Sequence, residues 1–411
     1  MPAAYDKPAL LPLYVTRFRC VGDRCEDTCC NGWTITVDRP TYDGWRKLPG
    51  DDFRSELLGA LQVADGKSPA PPGAHAWFKP KPGTRECPML SGGLCRVQQR
   101  GGEESLSDTC FSYPRTTRTL GTSLTQALSL SCPEAARLAL LAPDAFEFVG
   151  GNVHGRASTE TRTVLPKGLQ PDAANDVRLF CLQLVRSEGA PLWVRLAVLG
   201  LFCERLTALL EAGKAPEVPA FLAAFEQALA SPGFLDALEQ VPARHAEQAQ
   251  VFASLLHSGL QRPPSPHQGR VQEAVARGLG ASEGESHVDA ARLIAAYKRG
   301  VEQLPAVLDA QAPKLLEHYV LNELLREGFP FETATPSAHF LDLVVRFGMV
   351  RLMLAARCSG ETPPDAAALV ETVQVFCRRF QHDVEFARQA RASFHARGWD
   401  SMAKVFGYLR A

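Results

Sequence analysis

Eight of the twelve cysteines lie between Cys20 and Cys132. They run Cys20-x4-Cys25-x3-Cys29-Cys30, then Cys87-Pro-x6-Cys95, then Cys110 and Cys132. Thiolates are soft anionic ligands, and a tetrahedral metal site or an iron–sulfur cluster draws about four of them from several directions. Short spacings on turns limit the entropy lost in gathering them. Adjacent Cys29 and Cys30 point different ways, so they serve two sites or leave one thiol in a packing role. The Cys-x-x-Cys spacing of a redox dithiol is absent. His75 is the one histidine in that span, which makes a mixed Cys/His site the weaker alternative. On residues alone, zinc and an iron–sulfur cluster stand level. A zinc that only staples the chain satisfies the same spacing.

These ligands need elements to hold them. The first 150 or so residues are rich in turn formers, among them Asn31-Gly32, Pro49-Gly50, Pro82-Gly83, Gly92-Gly93 and Gly101-Gly102. Thr34–Asp38 alternates and predicts a short strand. Such a segment buries little apolar surface, and small loop-rich modules need a metal to hold them. Ser131-Cys132-Pro133-Glu134 predicts a helix start, with Ser131 as cap and Pro133 in the first turn. From about residue 172 apolar residues recur at helical spacing, as in Val177, Phe180, Cys181, Leu184 and again in Leu199, Phe202, Cys203, Leu206. Further helices are expected over 217–230, 244–258, 287–303, 305–328, 338–357, 364–397 and 400–409. An exposed linker is expected near 261–286, around Pro263-Pro264-Ser265-Pro266. Cys181, Cys203, Cys358 and Cys377 continue apolar stripes and are expected in the core.

The chain is therefore expected to be mainly α: an irregular cysteine-rich metal-cluster module (1–150) packed on an all-helical C-terminal domain (151–411). A net charge of −1 over 411 residues argues against nucleic acid as the main partner, because phosphate binding leaves a basic footprint. No stretch approaches the ~18 apolar residues of a membrane span. The opening Met1–Lys7 lacks a secretory pattern, so a reducing, cytoplasmic setting is expected.

Several blocks resemble the flagellin lysine-N-methylase (FliB-type) family. They are Val15-Thr16-Arg17-Phe18-Arg19-Cys20 leading to Cys29-Cys30-Asn31-Gly32-Trp33, then Cys87-Pro88-Met89-Leu90 with Gly93-Leu94-Cys95. Leu106–Cys110 with Tyr113-Pro114-Arg115, and Ser131-Cys132-Pro133-Glu134-Ala135-Ala136-Arg137, continue the likeness. In the helical half, His318–Asn322 and Arg379-Phe380-Gln381-His382 are similar to family landmarks. The cysteine part also resembles YkgJ-type metal-chelating domains. The resemblance implies methyl transfer from S-adenosylmethionine to lysines of flagellin or another surface protein. It also implies an iron–sulfur cluster, expected as 4Fe-4S, on Cys20, Cys25, Cys29, Cys30, Cys87, Cys95, Cys110 and Cys132. The radical S-adenosylmethionine signature, Cys-x3-Cys-x2-Cys, is not matched: Cys20, Cys25 and Cys29 are each one residue further apart.

Methyl transfer needs a neutral amine, and removing a lysine proton at pH 7 costs roughly 4.6 kcal/mol. Tyr319 and His382 are the candidate catalytic groups for that step, and Asn322 and Arg379 the candidate cofactor contacts. Tyr319 with Asn322, and Arg379 with His382, lie three apart on predicted helices; the competing assignment for both pairs is packing. No Gly-rich turn of a doubly wound nucleotide fold is evident. Phe146–Gly151 reads as a domain-end turn. Trp33 and Trp45 are expected to cover the metal site rather than to cage a methylated amine. The alternative to an enzyme is a zinc- or iron-binding scaffold or metal carrier.

Overall fold

In the computed structural model, Gly92 and Gly93 adopt φ of +57° and +79°. They close a two-residue hairpin that pairs Leu90 with Cys95, as turns of that handedness do. Local chemistry of this kind builds the front of the chain. The structure describes residues 2–410 except 67–69, 232, 260–262, 283–284 and 286–287, without the side chains of 237, 239 and 384. In chain order the front contains β1 (Tyr5–Pro12), α1 (Leu13–Arg17), β2 (Thr36–Val37), α2 (Arg39–Arg46), α3 (Asp52–Gly59), β3 (Leu61–Val63) and β4 (Ala76–Phe78). It continues with β5 (Leu90–Ser91), β6 (Leu94–Cys95), α4 (Arg96–Gly101), α5 (Asp108–Ser112), β7 (Arg115–Leu120) and β8 (Ser123–Leu128). After α6 (Pro133–Leu141) come β9 (Phe148–Gly155) and β10 (Glu160–Arg162). The helical body follows: α7 (Pro171–Arg186), α8 (Leu192–Glu211), α9 (Val218–Leu229), α10 (Asp236–Glu239), α11 (His245–Gly259) and α12 (Pro266–Gly278). It ends with α13 (Ala290–Gln311), α14 (Leu315–Glu327), α15 (Pro336–Cys358), α16 (Ala366–Phe380), α17 (Val384–Ala396) and α18 (Met402–Leu409). The chain is mainly α, as its periodicity indicates.

Four small sheets serve the front: β1–β9, β10–β7–β8, β2–β4–β3 and β5–β6. The apolar residues form two cores. A small one draws on Ile35 to Phe111, with Trp45 and Leu57 at its centre. The large one takes in Tyr14, Leu128, Ala136 and Phe146 together with the helices. Residues 120–146, grouped with the cysteine-rich segment by sequence, thus contribute to the large core and pack with the helical body. The cause is pairing that spacing does not disclose: β9 lies antiparallel to β1, with Gly150 and Gly151 opposite Leu10 and Ala9. Phe146–Gly151 is therefore not a domain-end turn but runs into a paired strand.

Other expectations are corrected. The expected linker contains α12, which runs from Pro266 to Gly278 and is capped by Ser265; Gln261, Gly284 and the flanking 286 lie outside the described residues. Pro305 does not divide two helices but sits inside α13, exposed beside buried Leu304. Its ring faces solvent, where a lost hydrogen bond is made good by water. The expected 364–397 helix is two, broken between Phe380 and Val384. Ser131 does not cap α6; Cys132 stands at that position without a capping side chain. The four cysteines expected in the core, Cys181, Cys203, Cys358 and Cys377, are buried.

α15 is the axis of the body, and two glycines let its neighbours approach it backbone to backbone. A Cβ at Gly300 in α13 would lie 1.9 Å from the Ala355 carbonyl oxygen, and one at Gly278 in α12 1.9 Å from that of Ala356. Gly300→Ala is expected to cost about 3 kcal/mol, since helix axes rather than a flexible tip must move. Gly59→Ala, where nothing lies within 4 Å, is expected to be neutral or slightly stabilising. Urea denaturation of both variants checks the contrast.

Candidate functional site

Each cysteine of the front segment sits where a turn or helix start delivers it. Cys25 follows a short 3-10 turn (Gly22–Arg24), Cys95 ends β6 and precedes α4, Cys110 lies in α5, and Cys132 opens α6. Cys30 accepts the Cys87 N–H through its carbonyl at 2.7 Å, and the neighbouring Asn31 bridges to Glu86. All twelve cysteines are free thiols. Cys30, Cys95 and Cys110 pack against the small core and Cys87 lies in it, so the thiols occupy its edge.

Charge interactions link these thiols through Cys29. On one side Cys29 is felt by Cys25 and Cys132, and Cys25 also feels Cys20; on the other Cys29 is felt by Cys30, Cys87, Cys95 and Cys110. The Cys30 thiol hydrogen-bonds to Cys29 and, helped by the Arg378 guanidinium, pulls Cys29 down to about 7. Burial pushes Cys25 and Cys87 up to about 11 and Cys132 to about 12, and it raises Cys95 and Cys110 as well. Donation to Cys29 drives Cys30 higher. Among the shifted thiols, Cys29 alone is moved toward the thiolate. A thiophilic cation supplies the positive charge that lets the rest ionise, so the donor set fits the implied cluster in kind. Among the described residues no three Cys, His, Asp or Glu side chains already stand at ion-holding separations. Binding would therefore require the thiols to close in. His75 stands apart, its ring edge-on to Tyr42 at 4.8 Å.

The helical body grips this thiol shelf through α16. Arg378, with a side chain 9% exposed, donates to the carbonyls of Thr28 at 3.1 Å and Asn31 at 2.6 Å, and to Tyr113 Oη at 3.4 Å. Asp27, equally buried, accepts from Gln374 at 3.0 Å and Gln268 at 3.4 Å. Gln374 also donates to the Ser131 carbonyl at 2.9 Å. Gln374 and Arg378 are four apart and share one helix face. Sequence reasoning chose Arg379 and missed Arg378; the available signal was Gln374 and Arg378 at i, i+4 beside the apolar stripe of α16. Trp33 donates its Nε1–H to the Cys29 carbonyl at 2.6 Å and leans on Tyr113. It covers the thiol turn, while Trp45 is buried in the small core.

His382 reaches the same junction. Its Nε2 lies 3.2 Å from Ser129 Oγ and 3.1 Å from Ser131 Oγ, and Ser131 Oγ lies 3.0 Å from Tyr113 Oη. Ser129 donates to Gln381 Oε1 at 2.7 Å, and Gln381 donates to the buried Glu323 at 2.6 Å. Burial and the charges of Arg326 and Arg378 hold His382 down at about 4, although one side of its ring is exposed. At neutral pH the imidazole carries no charge.

Two other candidates lie elsewhere. Asn322 is fully buried and spends its amide on Tyr14 Oη at 2.7 Å and the Leu128 carbonyl at 3.1 Å. It pins α14 to β8 rather than facing a cofactor. Tyr319 is fully buried, edge-on to Phe376, with no hydrogen-bond partner for its hydroxyl among the described residues. Burial raises its pKa well above the ordinary range, and it has no route to a substrate. Arg379 does line a cleft of about 360 Å³ between the thiol module and the helices, along with Asp27, Asn31, Arg85 and Arg378.

Residues 178–408 match the family described as FliB lysine N-methylase C-terminal domain. A lysine-N-methylase of Salmonella typhimurium is 32% identical over 177 residues, which are 42% of this chain and 41% of that protein. The lysine-N-methylase of Salmonella choleraesuis gives the same identity and coverage. A flagellar biosynthetic protein, FliU, of Salmonella muenchen is 36% identical over 137 residues, 33% of this chain and 78% of the relative. The alignment thus spans less than half the length of the curated lysine-N-methylases. No solved structure matches the chain. With more than half of its residues inside the matched region, and those residues forming the helices that grip the thiol shelf, the chain belongs to the FliB lysine N-methylase family.

Proposed function

We propose that this protein transfers methyl groups from S-adenosylmethionine to lysine side chains of another protein, a flagellin. In this reading the ligands of an iron–sulfur cluster of the 4Fe-4S kind come from among Cys20, Cys25, Cys29, Cys30, Cys87, Cys95, Cys110 and Cys132. The observation that carries the reading is the gathering of free thiols around Cys29, against the helical body that matches the FliB domain. The names lysine-N-methylase and flagellar biosynthetic protein among the relatives support the reaction and the acceptor. Free thiols and the lack, among the described residues, of a helix long and apolar enough to cross a membrane agree with work in a reducing compartment. When bound, the cluster supplies iron that can ligate the amino and carboxylate groups of the donor.

The chain's own residues handle the proton. Each methyl transferred to a lysine releases one proton from the amine. The imidazole of His382, neutral at pH 7 and exposed, can accept a hydrogen bond from the amine while its proton passes on to water, since a pKa near 4 keeps the ring from holding that proton itself. Ser129 and Ser131 fix the ring, and Ser131 connects it to Tyr113 beside the thiols. The guanidinium of Arg378 disfavours an ammonium nearby, which lowers the cost of the neutral amine. His382→Gln is expected to lower kcat about 100-fold while leaving the acceptor KM unchanged; steady-state methylation assays check it.

Anaerobic purification, iron and sulfide analysis, and mass spectrometry of co-expressed flagellin test the proposal. A brown protein and lysines carrying added methyl groups support it. A colourless protein with stoichiometric zinc and unmodified flagellin supports instead the alternative of a metal-stapled scaffold or carrier.

A further inference from the structure

A run of hydrogen bonds joins a cation to an anion where the thiol module meets the helices. Arg378 donates to Tyr113 Oη at 3.4 Å, and Tyr113 Oη lies 3.0 Å from Ser131 Oγ. Ser131 Oγ lies 2.8 Å from Ser129 Oγ, which donates to Gln381 Oε1 at 2.7 Å. Gln381 Nε2 donates to Glu323 at 2.6 Å. Glu323 is buried, with Arg346 at 3.1 Å and Arg326 at 3.7 Å. Burial opposes its charge, yet the two guanidiniums hold its carboxyl below the ordinary range. An ionised carboxylate only accepts and a guanidinium only donates. The two ends therefore set one direction, and each hydroxyl proton between them points away from Arg378 and toward Glu323. His382 Nε2 meets the middle of the run, beside Ser129 Oγ and Ser131 Oγ. Among the described residues both hydrogen bonds of the ring fall on Nε2, and His382 is exposed.

Counting protons then decides the ring. A neutral imidazole has one N–H and one lone pair, and the partner of one nitrogen fixes which is which. The Ser129 proton is spent on Gln381 and the Ser131 proton on Ser129. A lone pair on Nε2 would face two oxygens with no proton between. Turning the Ser131 proton to Nε2 does not mend this, because the 2.8 Å contact between the serine oxygens and the 3.2 Å contact from Nε2 to Ser129 are then both left without one. A proton on Nε2, shared between the two oxygens, satisfies every contact, and an unmet one costs free energy. We infer that His382 is held as the Nε2–H tautomer, that Nδ1 is the atom that accepts the hydrogen bond of the substrate amine, and that Ser129 and Gln381 are positioning residues that enforce this from Glu323. The inference rests on the methyl transfer proposed above and names the nitrogen that serves it. Gln381 acts at one remove, through Ser129.

The test is histidine-selective 15N labelling of the intact, anaerobically purified protein, read by long-range proton–nitrogen correlation at pH 7.5. His382 is the signal missing from His382→Gln. In the unaltered protein Nε2 is expected to carry the proton. Ser129→Ala deletes the acceptor of the Ser131 proton, and Gln381→Leu frees the Ser129 proton, so each offers Nε2 a donor. Both variants are expected to move His382 toward the Nδ1–H form and to lower kcat about tenfold, with the acceptor KM unchanged. A purely structural role would lower the melting temperature without moving the tautomer. A proton on Nδ1 in the unaltered protein overturns the inference and leaves methyl transfer standing. An unmoved tautomer in both variants overturns the positioning role of Ser129 and Gln381. A moved tautomer with undiminished methylation removes Nδ1 from the reaction. Absence of methylation by the unaltered protein overturns the reaction and Nδ1's part in it, while the ring assignment is judged by the spectra.

Discussion

Serine in place of Cys29 is expected to strip the protein of its metal and to lower lysine methylation about 100-fold or more. Cys29 is the thiol through which both sides of the shelf interact, and the one among the shifted front cysteines whose pKa falls, to about 7. It is therefore the first thiolate available to a metal. A hydroxyl at that position keeps its proton and is a poor soft ligand. The fold should survive, because the Cys29 side chain is not part of the small core. Cys203→Ala is the matched comparison. Cys203 is fully buried in the large core, so its loss should cost about 1 kcal/mol of stability and no metal. Iron and sulfide analysis with a methylation assay on both variants separates the roles. Equal metal content in Cys29→Ser and the unaltered protein would remove Cys29 from the ligand set.

The second large effect is in acid. His318 and His339 are 3% and 4% exposed, packed on Phe146 and Phe329, and each has a buried Nδ1 without a partner among the described residues. Burial pushes His318 down to about 4 and His339 to about 3, against about 6.5 in an unfolded chain. Between those values the unfolded state binds more protons than the folded one. The stability tied to each histidine is therefore full above about pH 6.5 and is lost as pH falls toward 4 and 3. The slope is about 1.4 kcal/mol per pH unit per group. At pH 4.5 the loss is about 2–3 kcal/mol for each. His318→Leu with His339→Leu should flatten this dependence, whatever the variant costs at pH 7.5. Urea denaturation at pH 7.5 and pH 4.5 measures it, and the same acid loss in variant and unaltered protein would contradict it. Metal release in acid affects both proteins alike, so the difference between them isolates the histidines.

Much of the architecture was legible because its causes are local. Apolar spacing announced the long helices, Gly92-Gly93 a turn, and Pro133 the first turn of α6. Interruptions were harder to place. Pro305 reads as a break until its ring is seen facing solvent, and the turn at Gln381–Asp383 lies inside an unbroken apolar pattern. Ser131 illustrates a subtler failure. Its type and position are those of a helix cap, yet its hydroxyl is drawn to His382 and Tyr113 instead. Of the two residue pairs offered as site candidates, Arg379 and His382 lie at the junction of module and helices, while Tyr319 and Asn322 are sealed in the core. Spacing alone could not tell these pairs apart: Tyr319 and Asn322 share a buried face of α14, whereas His382 lies in the turn after α16 and is exposed.

By itself the sequence determined the helical body and the family resemblance, both of which depend on residue type and near-neighbour spacing. Tertiary structure alone decided that Cys29 joins the thiols, that Arg378 rather than Arg379 holds their turn, and that Arg379 lines the cleft between module and helices. The physical reason is distance along the chain. Arg378 and the Thr28 carbonyl are 350 residues apart, and such a contact forms only after both cores have packed and set the angle between helix and loop.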